Sequence, residues 1–308
     1  MPIVNKPSTN NESNFISGLN YTRPKFDISE IILPKKTMDS LKDFISLFQV
    51  YDTIFSSWGL NSTHKHNKLF SVNLYGDSGT GKTMAAHIIA SELNLPLISV
   101  NYAELESKYV GETSKNLTKL FSIAKEKNAI LFFDEADAVL SRRVTNMSSS
   151  TDVSVNQTRS VLLSLMNDHE GIIIFTTNFI ENFDIAFMRR ILSHIKFELP
   201  NIDARTLLWE KYLPESMPVD NLSIYHLAEI SEGLTGSDIS NCVLKAAITA
   251  ARNNHSVVSE GFFSTAIKDV QTSKKAHKQE KTEVKNNIVS EEYVESKIGL
   301  QAMTELKV

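Results

Sequence analysis

Gly76-Asp77-Ser78-Gly79-Thr80-Gly81-Lys82-Thr83 is a complete G-x-x-x-x-G-K-T loop, and its flanks decide the fold. The apolar run Leu69-Phe70-Ser71-Val72-Asn73-Leu74-Tyr75 leads into it, and the helix-forming stretch Met84-Ala85-Ala86-His87-Ile88-Ile89-Ala90 leaves it. Strand, glycine loop and helix, in that order, form the context in which this pattern binds phosphate. Glycines let successive backbone N–H groups turn inward at the positive end of the new helix. The expected cradle runs from Gly76 through Asp77, Ser78, Gly79, Thr80, Gly81, Lys82 and Thr83 to Met84. Lys82 should reach the β- and γ-phosphates and Thr83 should hold Mg²⁺. These residues imply a nucleoside triphosphate ligand.

The chain has 308 residues, enough for one α/β domain and a smaller partner domain. Its 42% hydrophobic and 22% charged content is that of a soluble globular protein. A net charge of −4 argues against a nucleic-acid binder that relies on bulk electrostatics. The single cysteine, Cys242, has no partner within the chain and fits a reducing cytoplasm as a small core residue. The first ten residues hold no apolar secretory core, and no stretch reaches the roughly 18 apolar residues of a membrane span, so a cytoplasmic location with no membrane partner is expected.

Residues 1–25, rich in Asn, Ser and Pro, read as a flexible arm. From Phe26 the pattern tightens: Met38, Leu41, Phe44, Ile45, Leu47 and Phe48 recur at helical spacing. The polar stretch from Asn61 to Asn67 then loops to the first strand, and no carboxylate or cysteine joins His64 and His66 there to make a metal site. After the glycine loop, the apolar runs 97–100, 129–133, 172–175 and 194–197 alternate with helical patterns near 113–127 and 155–167. Continuous β-branched and aromatic runs predict a parallel sheet covered on both faces. The expected fold class is α/β, a P-loop doubly wound parallel sheet over residues 26–200, followed by a small all-helical lid over 201–270. Residues 271–308 are expected as a polar linker, loop or frayed helix to about 287, then an amphipathic helix or tail from Ile288.

Downstream of the loop, Ile130-Leu131-Phe132-Phe133 ends in Asp134-Glu135-Ala136-Asp137. Two acids at a strand end beside a phosphate loop have a clear use. Asp134 can organise Mg²⁺ and its waters, and Glu135 can polarise a water for attack on the γ-phosphate. The next strand ends in Thr176-Thr177-Asn178, and the neutral Asn178 amide can bond both the attacking water and a γ-phosphate oxygen. No Asn-Lys-x-Asp stretch selects guanine, which leaves ATP as the expected nucleotide.

Over roughly residues 35–270 these elements resemble the AAA+ ATPases, within them the AAA subgroup of ATP-driven protein remodelers. In that resemblance Gly76–Thr83 is Walker A, Phe132 to Glu135 closes Walker B and Asn178 is sensor 1. The stretch Asp184-Ile185-Ala186-Phe187-Met188-Arg189-Arg190 resembles the segment whose arginines reach a neighbouring subunit's nucleotide, which implies a homo-oligomeric ring, usually a hexamer. Many relatives separate the two arginines by Pro-Gly; here they are adjacent and their side chains diverge, leaving either as the finger. Gly236-Ser237-Asp238 resembles the sensor 2 turn, with glycine and a small residue near the adenine or ribose and no arginine in the turn.

The segment Lys108-Tyr109-Val110-Gly111-Glu112 resembles a pore loop, in which Tyr109 and Val110 grip a polypeptide with little sequence preference. The polar stretch from Ser141 to Asn156 is expected as a second, flexible pore loop. This favours an ATP-powered remodeler of a protein substrate over a nucleic-acid machine such as a clamp loader, and over a slowly hydrolysing scaffold. No His-Glu-x-x-His motif accompanies it, so proteolysis within the chain is not expected. More narrowly, 178–187 and 231–236 look like the pachytene-checkpoint ATPases. That family opens HORMA-domain proteins, and its compact bacterial members accompany cyclic-oligonucleotide synthases in anti-phage defence. The resemblance implies a HORMA-domain substrate and an associated nucleotide synthase.

Overall fold

The computed structural model describes residues 20–51, 53–64, 70–100, 112–141 and 150–285. Its elements in chain order begin with β1 (Asn20–Thr22), α1 (Lys35–Gln49), β2 (Phe70–Gly76), α2 (Lys82–Glu92), β3 (Leu97–Val100) and α3 (Glu112–Lys127). They continue with β4 (Ile130–Phe133), α4 (Asp137–Leu140), α5 (Ser150–Asp168), β5 (Ile172–Thr177), α6 (Ile185–Met188) and β6 (Ser193–Phe197). The last are α7 (Ile202–Tyr212), β7 (Val219–Asp220), α8 (Ile224–Ile230), α9 (Gly236–Arg252), β8 (Val258–Ser259) and α10 (Glu260–Lys285).

Six strands form one sheet in the order β1-β3-β4-β5-β2-β6. All neighbours are parallel except β1, which runs antiparallel along β3. Every residue of β4 and β5 is buried, because a parallel sheet carries helices on both faces. On one face Leu131, Phe133, Ile173 and Phe175 meet Leu117, Leu120 and Phe121 of α3 and Leu162 and Met166 of α5. On the other, Val72, Leu74, Phe132 and Ile174 meet Leu41 and Phe44 of α1 and Ala85, Ala86, Ile88 and Ile89 of α2. The three alanines of α2, Ala85, Ala86 and Ala90, are fully buried, so the helix that begins at the glycine loop packs with its small side chains enclosed. This is the doubly wound α/β architecture expected from the apolar runs, with a helical part following the sheet.

The chain divides into two compact units, one formed by residues up to Pro214 together with Ile224–Ser240, the other by Glu215–Ser223 and the residues from Asn241 onward. The first holds the sheet, α7, α8 and the opening turn of α9. Within it the buried Arg205 donates to Pro200 O at 2.8 Å and Ala228 O at 2.7 Å, and Trp209 donates to Ser231 Oγ at 3.0 Å. The second contains the short parallel pair β7–β8 and α10, with Val258, Phe263 and Ile267 buried. The helices expected as a lid are thus shared between the units.

Four local expectations change. Asn20–Thr22, read as part of the arm, is a strand on the outer edge of β3. Strand pairing is satisfied by backbone groups, so polar composition does not reveal it. Residues 271–285, read as a loop or frayed helix, continue α10, since Lys, Gln, Glu and Ala are good helix formers whatever their polarity. Residues 150–156 of the expected second pore loop lie in α5. The stretch 201–270, read as all-helical, also holds β7 and β8, which pair over two residues each.

Candidate functional site

Between β2 and α2 the glycine loop folds over one side of a cleft of about 610 Å³, lined also by Asp134, Glu135, Asn178 and Ser237. Gly76 ends β2 at φ +143°, where a Cβ would lie 2.2 Å from Phe197 O on the neighbouring strand. Only a residue without a side chain leaves the sheet there. Gly79, at φ +79°, faces the turn before α9: a Cβ would come within 2.8 Å of Thr235 Oγ1 and 2.9 Å of Ser237 Cβ. Ser237 N donates to Gly79 O at 3.3 Å, which joins the loop to that turn. The turn is held by a reciprocal cap, with Thr235 N donating to Asp238 Oδ2 at 2.9 Å and Asp238 N to Thr235 Oγ1 at 3.3 Å. Gly236 and Ser237 thereby stand on the cleft.

Lys82, at the first turn of α2, sends its ammonium back across the loop. It donates to Gly76 O at 2.7 Å, Asp77 O at 2.8 Å and Asn178 Oδ1 at 2.9 Å. Burial pushes the Lys82 pKa down, opposed by the carboxylates of Asp77, Asp134, Asp137 and Glu135. Thr80 closes the loop by donating to Asp77 O at 2.8 Å.

Asp134 leaves the end of β4 with one oxygen 3.3 Å and the other 3.2 Å from Thr83 Oγ1. A hydroxyl and a carboxylate this close form an all-oxygen donor pair of the kind that hard divalent cations take, so Thr83 and Asp134 fit a Mg²⁺ ion. Glu135 follows with φ +51°, a left-handed backbone uncommon outside glycine and asparagine. Two bonds from β5 hold it there: Glu135 N donates to Thr176 Oγ1 at 3.0 Å and Ala136 N to Thr176 O at 2.9 Å. Thr176 Oγ1 in turn donates to Asp134 Oδ1. One threonine therefore orients both acids, and the bent backbone leaves the Glu135 side chain exposed on the cleft.

The same arrangement repeats one residue on. Thr177 Oγ1 donates to Asp137 Oδ1, Asn178 N lies 3.4 Å from Asp137 Oδ2, and Phe179 N donates to Thr177 Oγ1 at 3.0 Å. Thr176, Thr177 and Asp137 were not singled out in the sequence, although their oxygens fix both acids and Asn178. Neither were Phe26, Ile31, Leu33, Leu208 and Tyr212, which give the cleft an apolar wall. A usable signal lay in Asp27-Ile28-Ser29-Glu30, where Asp27 accepts from Ser29 N at 2.9 Å and Glu30 accepts from Asp27 N at 2.8 Å. That capping box rigidifies the turn that delivers Ile31 to Gly81.

The two arginines diverge. Arg190 Nε donates to Asn167 Oδ1 at 2.8 Å and its Nη1 to Ala186 O at 2.9 Å. Arg189 is exposed, and no described residue accepts a hydrogen bond from its guanidinium. Neither lines the cleft of its own chain. Tyr109 and Val110 lie outside the described residues. Among the described residues no group of three His, Cys, Asp or Glu could hold a metal by itself, and no helix is long and apolar enough to cross a membrane.

A glycine loop between β2 and α2, two acids at the end of β4 and an amide at the end of β5 define a P-loop nucleotide site in a parallel sheet. Residues 72–199 match the family described as "ATPase family associated with various cellular activities (AAA)", and this part of the chain belongs to that ATPase family. Similar proteins include the proteasome-activating nucleotidase of Saccharolobus solfataricus, 31% identical over 255 residues, which are 80% of this chain and 63% of that protein. The ATP-dependent zinc metalloprotease FtsH 2 of Thermoanaerobacter sp. is 32% identical over 261 residues, 82% of this chain and 50% of that protein. The proteasome-activating nucleotidase of Methanocella arvoryzae is 30% identical over 254 residues, 80% of this chain and 59% of that protein. The chain thus spans between half and two thirds of the length of these relatives.

Proposed function

We propose that the chain hydrolyses ATP as one subunit of a homo-oligomeric ring, of six copies, and uses the cycle to remodel or unfold a protein. The observation that carries this reading is the convergence of Lys82, Thr83, Asp134, Glu135 and Asn178 on one cleft, while the exposed Arg189 does not line it. In this reading the loop amides and Lys82 bind the β- and γ-phosphates and Asn178 orients the γ-phosphate. Glu135 takes a proton from the attacking water. Thr83 and Asp134 would hold Mg²⁺, which supplies neutralisation of phosphate charge. Arg189, whose guanidinium has no partner among the described residues, is the finger offered to a neighbour, and the tethered Arg190 is not.

A protein substrate is supported by the relatives' names, a proteasome-activating nucleotidase and an ATP-dependent metalloprotease. It is supported also by the Tyr109-Val110 pair in the sequence. The narrower reading, a HORMA-domain substrate with a nucleotide synthase, rests on residues 178–187 and 231–236 alone, and the relatives add nothing to it.

The test is a substrate trap. Glu135→Gln should bind ATP within about threefold of the unaltered chain and lose at least about 100-fold in turnover. Loaded with ATP in host extract, it should retain a defined protein; a HORMA-domain protein would establish the narrower reading. Tyr109→Ala in the same trap should keep ATP binding and release that protein. Retention of nucleic acid with replication factors would overturn the proposal.

A further inference from the structure

Around Arg189 the carbonyls of Ala186, Met188 and Arg190 each meet a side-chain group, the last two from the strands β6 and β2. Ala186 O accepts from Arg190 Nη1 at 2.9 Å, Met188 O lies 3.3 Å from His194 Nε2, and Arg190 O accepts from Ser71 Oγ at 3.0 Å. Ser71 Oγ also accepts from Leu192 N at 3.1 Å, so one hydroxyl clamps the chain on both sides of Ile191. Ser71 is fully buried on β2 and His194 belongs to β6, the strand beside it. A carbonyl oxygen can only accept, so the His194 proton sits on Nε2. Among the described residues its buried Nδ1 has no partner, nor has the amide of Asn73, its register neighbour on β2. Burial also pushes the His194 pKa down, which keeps the ring neutral.

These polar groups occupy a sheet face otherwise filled by residues such as Ile173 and Phe175. Burying a hydroxyl, an imidazole and an amide there costs free energy that an apolar side chain would avoid. What Ser71 and His194 hold in return is the backbone on either side of an arginine whose guanidinium makes no bond among the described residues. We infer that Ser71 and His194 are positioning residues for Arg189: they set the height and direction at which its guanidinium meets the nucleotide of a neighbouring copy. The inference rests on the proposed role of Arg189 in trans. It assigns a function to two side chains that touch no nucleotide. Ser71 lies on the strand that ends in Gly76, so the phosphate loop and the finger segment are fixed to one rigid element.

The test is complementation in mixed assemblies. An acceptor chain, Arg189→Ala, keeps its own cleft and lacks the finger; a donor chain, Glu135→Gln, has a finger and no base. Their mixture should hydrolyse ATP faster than either alone. Ser71→Ala added to the donor should lower the kcat of the mixture about tenfold and leave KM for ATP within about twofold, because the acceptor cleft is unaltered. The same substitution in the acceptor should cost less than about twofold, an asymmetry that general destabilisation would not produce. His194→Leu in the donor should act like Ser71→Ala, and His194→Gln, which keeps a donor for Met188 O, should restore most of the rate. If Ser71→Ala does not fold, the two His194 variants decide. Full complementation by the Ser71→Ala and His194→Leu donors overturns the positioning role. No complementation even by the unaltered finger overturns the trans role of Arg189, and the inference with it.

Discussion

Lys82 Nζ and Asn178 Oδ1 lie 2.9 Å apart, joining the first turn of α2 to the end of β5. A phosphate oxygen drawn to Lys82 therefore comes within reach of Asn178, and the two act on the same atom. Asn178→Ala should lower turnover about 100-fold and change ATP affinity only a few-fold, since Lys82 keeps its charge. Asn178→Asp should instead pair with Lys82 and place a second anion against the γ-phosphate, weakening binding by about tenfold more than alanine does. Calorimetric titration with a non-hydrolysable analogue separates the two; equal affinities would show that Asn178 does not share the phosphate with Lys82.

Thr176 is the joint of the acidic pair, accepting from Glu135 N at 3.0 Å and donating to Asp134. Thr176→Val keeps the shape and removes both bonds. It leaves a backbone N–H without its partner, so stability should fall by about 1–3 kcal/mol. The Mg²⁺ concentration for half-maximal activity should rise as well, and Thr176→Ser should recover most of both losses. Denaturation and a Mg²⁺ titration of the ATPase check this. Wild-type Mg²⁺ dependence in the valine variant would remove Thr176 from the orientation of Asp134.

Gly79 meets the turn before α9 too closely for any side chain. Gly79→Ala would carry a φ of +79° and push on Thr235 and Ser237, so affinity for an ATP analogue should drop at least about tenfold. Melting temperature should fall by a few degrees as well. Fluorescence titration is the direct check, and unchanged affinity would mean that the loop and the α9 turn move independently.

His169 supplies the pH dependence. Burial pushes its pKa from 6.5 to about 4, Lys125 adds to the shift and Glu170 opposes it. The ring packs edge-on to Phe121, and its Nε2 is buried without a partner among the described residues. The folded form thus binds fewer protons than the unfolded form between these two values. Stability from this site is full above about pH 6.5 and falls as pH drops towards 4, by at most on the order of 3 kcal/mol. Denaturant unfolding across that range should show the slope, and His169→Phe should flatten it. An unchanged slope in the variant would assign the loss to other groups.

How much of this was legible in the chain depends on how local each determinant is. The order of strand, glycine loop and helix, the runs that become β3 to β6, and the residues Lys82, Thr83, Asp134, Glu135 and Asn178 were all readable. Each is stated by neighbouring residues, through periodicity, glycine spacing or acids at a strand end. The edge strand at Asn20–Thr22 was not, because its partner is β3, far along the chain, and the bonds are backbone to backbone. The length of α10 was missed because polarity was weighed above helix propensity.

The chemistry of the cleft divides along the same line. The amino-acid sequence by itself offered the candidates for binding phosphate, coordinating a cation and activating water, and determined that they follow strands and a glycine loop, since these depend on residue type and spacing. It left the two adjacent arginines equivalent. Only the tertiary structure distinguished them, because Asn167 of α5 accepts from the Arg190 guanidinium and no described residue accepts from that of Arg189. Only the packing of β5 against β4 made Thr176 and Thr177 the clamps of Asp134 and Asp137. Only the fold brought Ser71, more than a hundred residues earlier in the chain, beneath the Arg190 carbonyl. Hydrogen bonds and burial act through distance in space, and a pattern of residue types does not contain those distances until the sheet has formed.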